Sequence, residues 1–254
     1  KKKMANKKVE ALVELMQSKP AAGDELALNG KLTGCDMRKI SKALIDNEPI
    51  VEQFKTVDIS NNEFKEIPVV FYRQRNLTQL NASRNQIIML QSMCSWNSLT
   101  VLDISHNNLK AMPKLLLSSS PLKVLDISHN QLRSFPHLPM SLEEIHAASN
   151  KINSLPQDFH DFTSLKVFHV EDNQFTQLSN FEGATENHFT KLTTLNVSNN
   201  KLQTLPTEIS VFVSLKSFSA DGNSFDDEDL STASEKGGAA TLHPHSPIEK
   251  KKKK

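Results

Sequence analysis

LTVLDISHNNLKAMP, residues 99–113, returns as LKVLDISHNQLRSFP at 122–136 and as LTTLNVSNNKLQTLP at 192–206. Looser copies fill the gaps, and each holds one asparagine at a fixed place: Asn62, Asn85, Asn107, Asn130, Asn150, Asn173, Asn200 and Asn223. The steps between them are 23, 22, 23, 20, 23, 27 and 23 residues. A period in this range marks a solenoid in which one supersecondary unit stacks on the next. Within VLDIS, Leu102 and Ile104 alternate with Asp103 and Ser105, which predicts a short strand with one buried face. The chain must then turn sharply, and the turn leaves backbone amides inside. An asparagine side chain offers both a carbonyl and an amide there, so the eight are expected to stack as a structural ladder.

The phrase L-x-x-L-x-L-x-x-N-x-L followed by L-P resembles the leucine-rich repeat, in the short-period form of intracellular members such as the Ras-suppressor-like proteins. The resemblance implies an α/β solenoid, a horseshoe with a parallel β-sheet on the concave face and short helical or irregular convex segments. Three stretches are expected: an N-terminal helical cap with a degenerate first repeat (1–53), a solenoid of about eight repeats with an acidic C-terminal cap (54–230), and a basic tail without apolar periodicity (231–254), expected to be disordered. In the cap, Val9, Leu12, Val13 and Met16 recur at helical spacing over 8–18. Leu26 and Leu28 suggest a degenerate strand, and Met37, Ile40, Ala43 and Leu44 mark a second helix with Asp36 as N-cap. A cap is required because the first coil of a solenoid exposes an apolar cross-section.

The formal net charge of +1 hides a division. Ten lysines lie at positions 1, 2, 3, 7, 8 and 250–254, and residues 9–248 carry 20 Lys+Arg against 28 Asp+Glu. Met4, after three lysines, reads as an initiator. The two cysteines, Cys35 and Cys94, do not form the cysteine-clustered caps that secreted members share by resemblance, which points to reduced thiols and a cytoplasmic or nuclear compartment. No apolar stretch approaches the ~20 residues that span a bilayer.

Catalytic chemistry has no visible carrier. There is neither a GxGxxG run nor a P-loop, no nucleophile motif and no CxxC pair, so no enzyme activity, cofactor or metal is expected. The strand register instead places a column on the inner face: Asp58, Asn81, Asp103, Asp126, His146, His169, Asn196 and Ser219. A second column brings His106 beside His129, followed by Ser149 and Asp172, with Glu171 one column inward. Aspartates and histidines on adjacent strands could hold a divalent ion, but a flat sheet rarely closes a ligand shell.

The same residues suit recognition. Asp103, His106, Asp126, His129, Glu144, His146, His169, Glu171 and Asp172 are the candidate partner-binding set, with Val101, Val124 and Val167 as apolar contacts. An acidic concave face favours a protein partner with a basic segment, chiefly through encounter rate and specificity. The alternative is an adaptor anchored to a nucleic acid, a ribosome or an anionic surface by its lysine runs. The end frames ELALNG and DGNSFDDEDL resemble those of a translation-associated leucine-rich repeat protein, whose synthetase-like domain has no counterpart here. The longest step contains an insertion at 180–189, a further place where function could sit.

Overall fold

The computed structural model describes residues 2–18, 25–92, 94–114, 116–117, 120–156, 158–178, 188–205 and 212–225, with side chains in the first helix from Lys7 onward. The 180–187 part of the insertion, the acidic stretch from 226 and the tail with its terminal lysines lie outside the described residues.

Nine three-residue strands form one parallel sheet in simple chain order: β1 (Glu25–Ala27), β2 (Thr56–Asp58), β3 (Gln79–Asn81), β4 (Val101–Asp103), β5 (Val124–Asp126), β6 (Glu144–His146), β7 (Val167–His169), β8 (Thr194–Asn196) and β9 (Ser217–Ser219). The strands are short because alternation lasts only until the turn. In β4 the central Leu102 is fully buried while Val101 and Asp103 face out half-exposed. Sequence periodicity counted eight phrases; the ninth strand is the degenerate ELA, which pairs with β2 through Leu26 and Val57. Its coil lacks the ladder asparagine. Lys31 stands there and sends Nζ to its own Ala27 carbonyl at 2.6 Å.

The asparagines stack as a ladder from coil to coil. From Asn85 to Asn223, each Oδ1 accepts the backbone N–H two residues beyond the asparagine of the preceding coil, as Leu109 N donates to Asn130 at 3.0 Å and Leu132 N to Asn150 at 3.0 Å. Each Nδ2 donates back into its own bend and across to the previous coil; Asn130 reaches the carbonyls of Ile127, Ser128 and Ile104 at 3.0–3.2 Å. The buried ladder amides and the bend carbonyls they reach are thus satisfied from coil to coil.

The residue before each ladder position has positive φ: Asn61, Arg84, His106, His129, Ser149, Asp172 and Asn199 at 51–55°, with Gly30 and Gly222 at the two ends. A left-handed residue costs roughly 1–2 kcal/mol for ordinary L-residues and less for Asn, Asp and Gly. That cost explains much of the polar composition of this column.

Two longer helices pack in the N-terminal region. α1 (Lys2–Gln17) starts earlier than the periodicity predicts and buries Leu12 and Met16. α2 (Met37–Asp46) buries Ile40, Ala43 and Leu44, and the Asp36 side chain accepts the Arg38 N–H at 3.0 Å. Two short helices, α3 (Glu48–Val51) and α4 (Val69–Arg73), had no clear sequence signal. Trp96 is core, stacked on Tyr72 at 5.2 Å with Nε1 donating to the Phe71 carbonyl. Across the core Phe159, Phe162, Phe189 and Phe212 join Phe168 of β7 in a continuous aromatic run with centroids 4.7–5.7 Å apart.

Candidate protein-interaction face

The parallel register sets Asp58, Asn81, Asp103, Asp126, His146, His169, Asn196 and Ser219 side by side across eight strands. The sequence-derived column therefore exists as a row about 34 Å long, at about 4.8 Å per strand. In five coils its occupant has a local task. Asp58, Asn81, Asp103, Asp126 and Asn196 each accept, through Oδ1, the backbone N–H of the serine two residues on, at 2.8–3.1 Å. This is an Asx turn that starts the bend. The pattern Asp/Asn-x-Ser that signals this turn is visible in the sequence.

β6 and β7 abandon that device, as do the two end strands β1 and β9, where Ala27 and Ser219 hold the position. His146 and His169 replace the Asx residue, and Ala148 and Glu171 replace the serine. The two imidazoles meet edge-on with centroids 5.0 Å apart, and His146 Nε2 lies 3.4 Å from Glu144 Oε2. Glu171 sits in the column that holds buried Ser60, Ser83, Ser105, Ser128 and Ser198 in other coils. Its Oε2 is buried and has no hydrogen-bond partner among the described residues. Burial lowers the His169 pKa, opposed by the nearby Glu171 charge and reinforced by His146. Burial likewise raises the Asp103 carboxyl against the pull of its Ser105 hydrogen bonds, with the charge of Asp126 adding to the rise.

The second column is equally real. His106 and His129 stack face to face at 4.0 Å, and Ser149 Oγ donates to Asp172 Oδ2 at 3.5 Å. Burial first, then the neighbouring His129 and Arg84, lowers the His106 pKa. No group of three or more His, Cys, Asp or Glu among the described residues is arranged to hold a metal ion. Cys35 and Cys94 are free thiols.

One feature of the face was missed. The residue preceding each strand forms a lysine-rich border: Lys55, Lys123, Lys166 and Lys216, with Glu143 bridging Lys123 at 3.2 Å and Lys166 at 2.5 Å. The concave side is thus banded rather than uniformly acidic. Lysines lie along one edge, Val101, Val124 and Val167 beside them, and then the Asp/His column and the stacked histidines.

The same architecture recurs among known proteins. A family model described as Leucine Rich Repeat matches residues 121–140 and 191–212, and a second of that description matches residues 97–111. The chain carries leucine-rich repeats. These matches do not extend to the Ras-suppressor-like type. A search of curated proteins gave no match. Among solved structures, a Shigella effector leucine-rich repeat domain superposes with TM-score 0.61 at 18% identity, over 92% of this chain and 94% of that one. The leucine-rich repeat domain of APL1B gives TM-score 0.59 at 22% identity, over 80% of this chain and 57% of its own. A leucine-rich repeat protein of Leptospira interrogans gives 0.50 at 19% identity, over 91% and 74%. At these identities the likeness is one of fold, the leucine-rich repeat horseshoe. Leucine-rich repeat proteins generally act as protein-interaction scaffolds. No described helix is long and apolar enough to cross a membrane.

Proposed function

We propose that this leucine-rich repeat protein is a non-enzymatic scaffold that holds a basic segment of a protein partner against the concave face of β4 to β7. The observation that carries this reading is the change at β6 and β7. The Asx turn explains Asp103 and Asp126 as structure, and nothing comparable explains His146, His169 and Glu171. Two adjacent coils give up a backbone cap and bury part of a carboxylate without a partner, an arrangement that favours an incoming cationic donor. Asp103, Asp126, Glu144, Glu171 and Asp172 supply the field and Val101, Val124 and Val167 the desolvated contact, while the lysine border repels a basic segment from that edge and so confines it to the acidic band. In this reading residues 1–53 cap the array and 54–230 present the surface.

The Asx turns dictate the variants. Charge reversal at Asp103 or Asp126 would also delete a turn, so loss of binding could reflect a damaged bend. Asp103→Asn, Asp126→Asn and Glu171→Gln remove charge while leaving an acceptor, as Asn81 and Asn196 do naturally. Partners captured from lysate by the wild-type chain should be lost by this triple variant, with an unchanged thermal melt. Undiminished capture would sink the concave-face reading.

A further inference from the structure

The repeats form an internal alignment, and one coil departs from it away from the concave face. Two positions follow the buried apolar residue after each ladder asparagine. They read Lys65-Glu66, Lys110-Ala111 and Arg133-Ser134 in neighbouring coils, with no large apolar residue among them, and are polar in the later described ones. In the β3 coil they read Ile88-Met89. Both side chains point outward, with 56% and 60% of their surface exposed. The periodic core does not ask for them, since Ile87 and Leu90 already fill the inward places.

Ile88 and Met89 do not stand alone. α2 buries Ile40, Ala43 and Leu44 on one side and turns Arg38, Ser41, Lys42 and Ile45 outward on another. This outer face, the Glu63–Glu66 turn and the Ile88-Met89 pair enclose an open cleft of about 630 Å³. Ile45 is 40% exposed, so three of the six large apolar side chains exposed among the described residues line this one cleft. Clustered exposed apolar surface with a charged border marks an interaction site. The charges are unevenly satisfied. Lys42 pairs with Asp46 at 3.0 Å, and Arg38 lies 3.9 Å from Asp36. Glu63 and Glu66 make no ion pair among the described residues and outnumber Lys65 between them.

We infer that this cleft docks a short amphipathic helix of a protein partner. Its bulky aliphatic side chains, spaced i, i+3 or i+4, and i+7, enter between Ile45, Ile88 and Met89, and a lysine or arginine beside them meets Glu63 and Glu66. Helix-in-groove recognition needs this combination of an apolar floor and a charged edge. The cleft is separate from the concave face, so a horseshoe carrying both could join two partners.

The test is selection of random 16-residue peptides displayed on phage against the full chain. The variant Ile88→Lys/Met89→Ser, which restores residue types found in other coils, serves for counter-selection. Enriched peptides should carry aliphatic residues at helical spacing together with Lys or Arg. A synthetic peptide of the enriched sequence should bind at least tenfold more weakly to that variant and to Ile45→Lys, and several-fold more weakly to Glu63→Gln/Glu66→Gln. It should bind Asp126→Asn/Glu171→Gln as it binds the wild type, which separates this inference from the concave-face reading. Thermal melts of the variants should match the wild type, and if one does not, the other cleft variant decides. No enrichment over the counter-selected variant, or enrichment of acidic peptides, overturns the inference. So does sedimentation equilibrium showing wild-type self-association that Ile88→Lys/Met89→Ser abolishes, because a second copy would then occupy the cleft.

Discussion

Replacing Asn130 by alanine removes one rung from the middle of the ladder, and the bonds around it determine what is left behind. Three carbonyls lose a donor, yet each keeps another: Ile104 O retains Asn107 Nδ2 at 3.1 Å, Ile127 O retains Asn150 Nδ2 at 2.9 Å, and Ser128 O retains His106 N at 2.9 Å. The Leu109 N–H does not, because Asn130 Oδ1 is its acceptor and Leu109 is fully buried. One orphaned buried amide costs about 1–3 kcal/mol, and that is the expected loss for Asn130→Ala. Asn130→Asp keeps the acceptor but turns a carboxylate toward three carbonyls, so it should cost at least as much at neutral pH and recover in acid, where a protonated oxygen can donate. Urea unfolding followed by circular dichroism and by the fluorescence of Trp96, the only tryptophan, measures both variants. The two probes must be compared, because repeat arrays can unfold in parts. A loss below about 0.5 kcal/mol for Asn130→Ala would refute the view that each rung is required by the amide it accepts.

Two further outcomes follow from the turns and the histidines. Gly222 has φ +71° and a Cβ there would overlap the Asn199 side chain, whereas a Cβ at Gly30, φ +62°, meets nothing nearer than 3.8 Å. Gly30→Ala should therefore cost about 1–2 kcal/mol of backbone strain and Gly222→Ala more, read as the difference between their melting temperatures. His106 and His169 have pKa values lowered from 6.5, so between that value and the folded one the unfolded chain binds more protons. Stability should then fall as pH drops below about 6.5, and His106→Gln/His169→Gln should flatten that fall in melts recorded from pH 7.5 to 5.5.

Fold and register were legible because the ladder asparagine recurs in eight successive coils. Its period located every strand from Thr56 onward and correctly set Asp126 beside His146 and His146 beside His169. The first strand was harder to read because Lys31 takes the asparagine position and satisfies its own bend. The helices α3 and α4 were illegible for another reason: four or five residues carry too few turns of periodicity, and their burial is decided by neighbouring coils. The lysine border escaped because Lys55, Lys123, Lys166 and Lys216 share a column only after register is applied to the residue before each strand, where the phrase itself varies. The Ile88-Met89 pair was in plain view but has no meaning until α2 is placed across from it.

A repeat also supplies its own standard for separating structure from function. Polar residues that recur at one position are explained by what every coil needs there: an amide acceptor at Asn130, a turn acceptor at Asp126, a residue tolerant of positive φ at His129. Charge alone therefore overstates the case for Asp103 and Asp126 as recognition residues, since both are occupied by Ser105 and Ser128. What remains after that subtraction is small and local. His146, His169 and Glu171 break the turn pattern on the concave side, and Ile88 and Met89 break the polar pattern on the flank. Each departure forgoes a stabilising local feature or exposes apolar surface to water. An interaction outside the coil is what would compensate for it, which is why binding experiments should begin at these five side chains and not at the most charged ones.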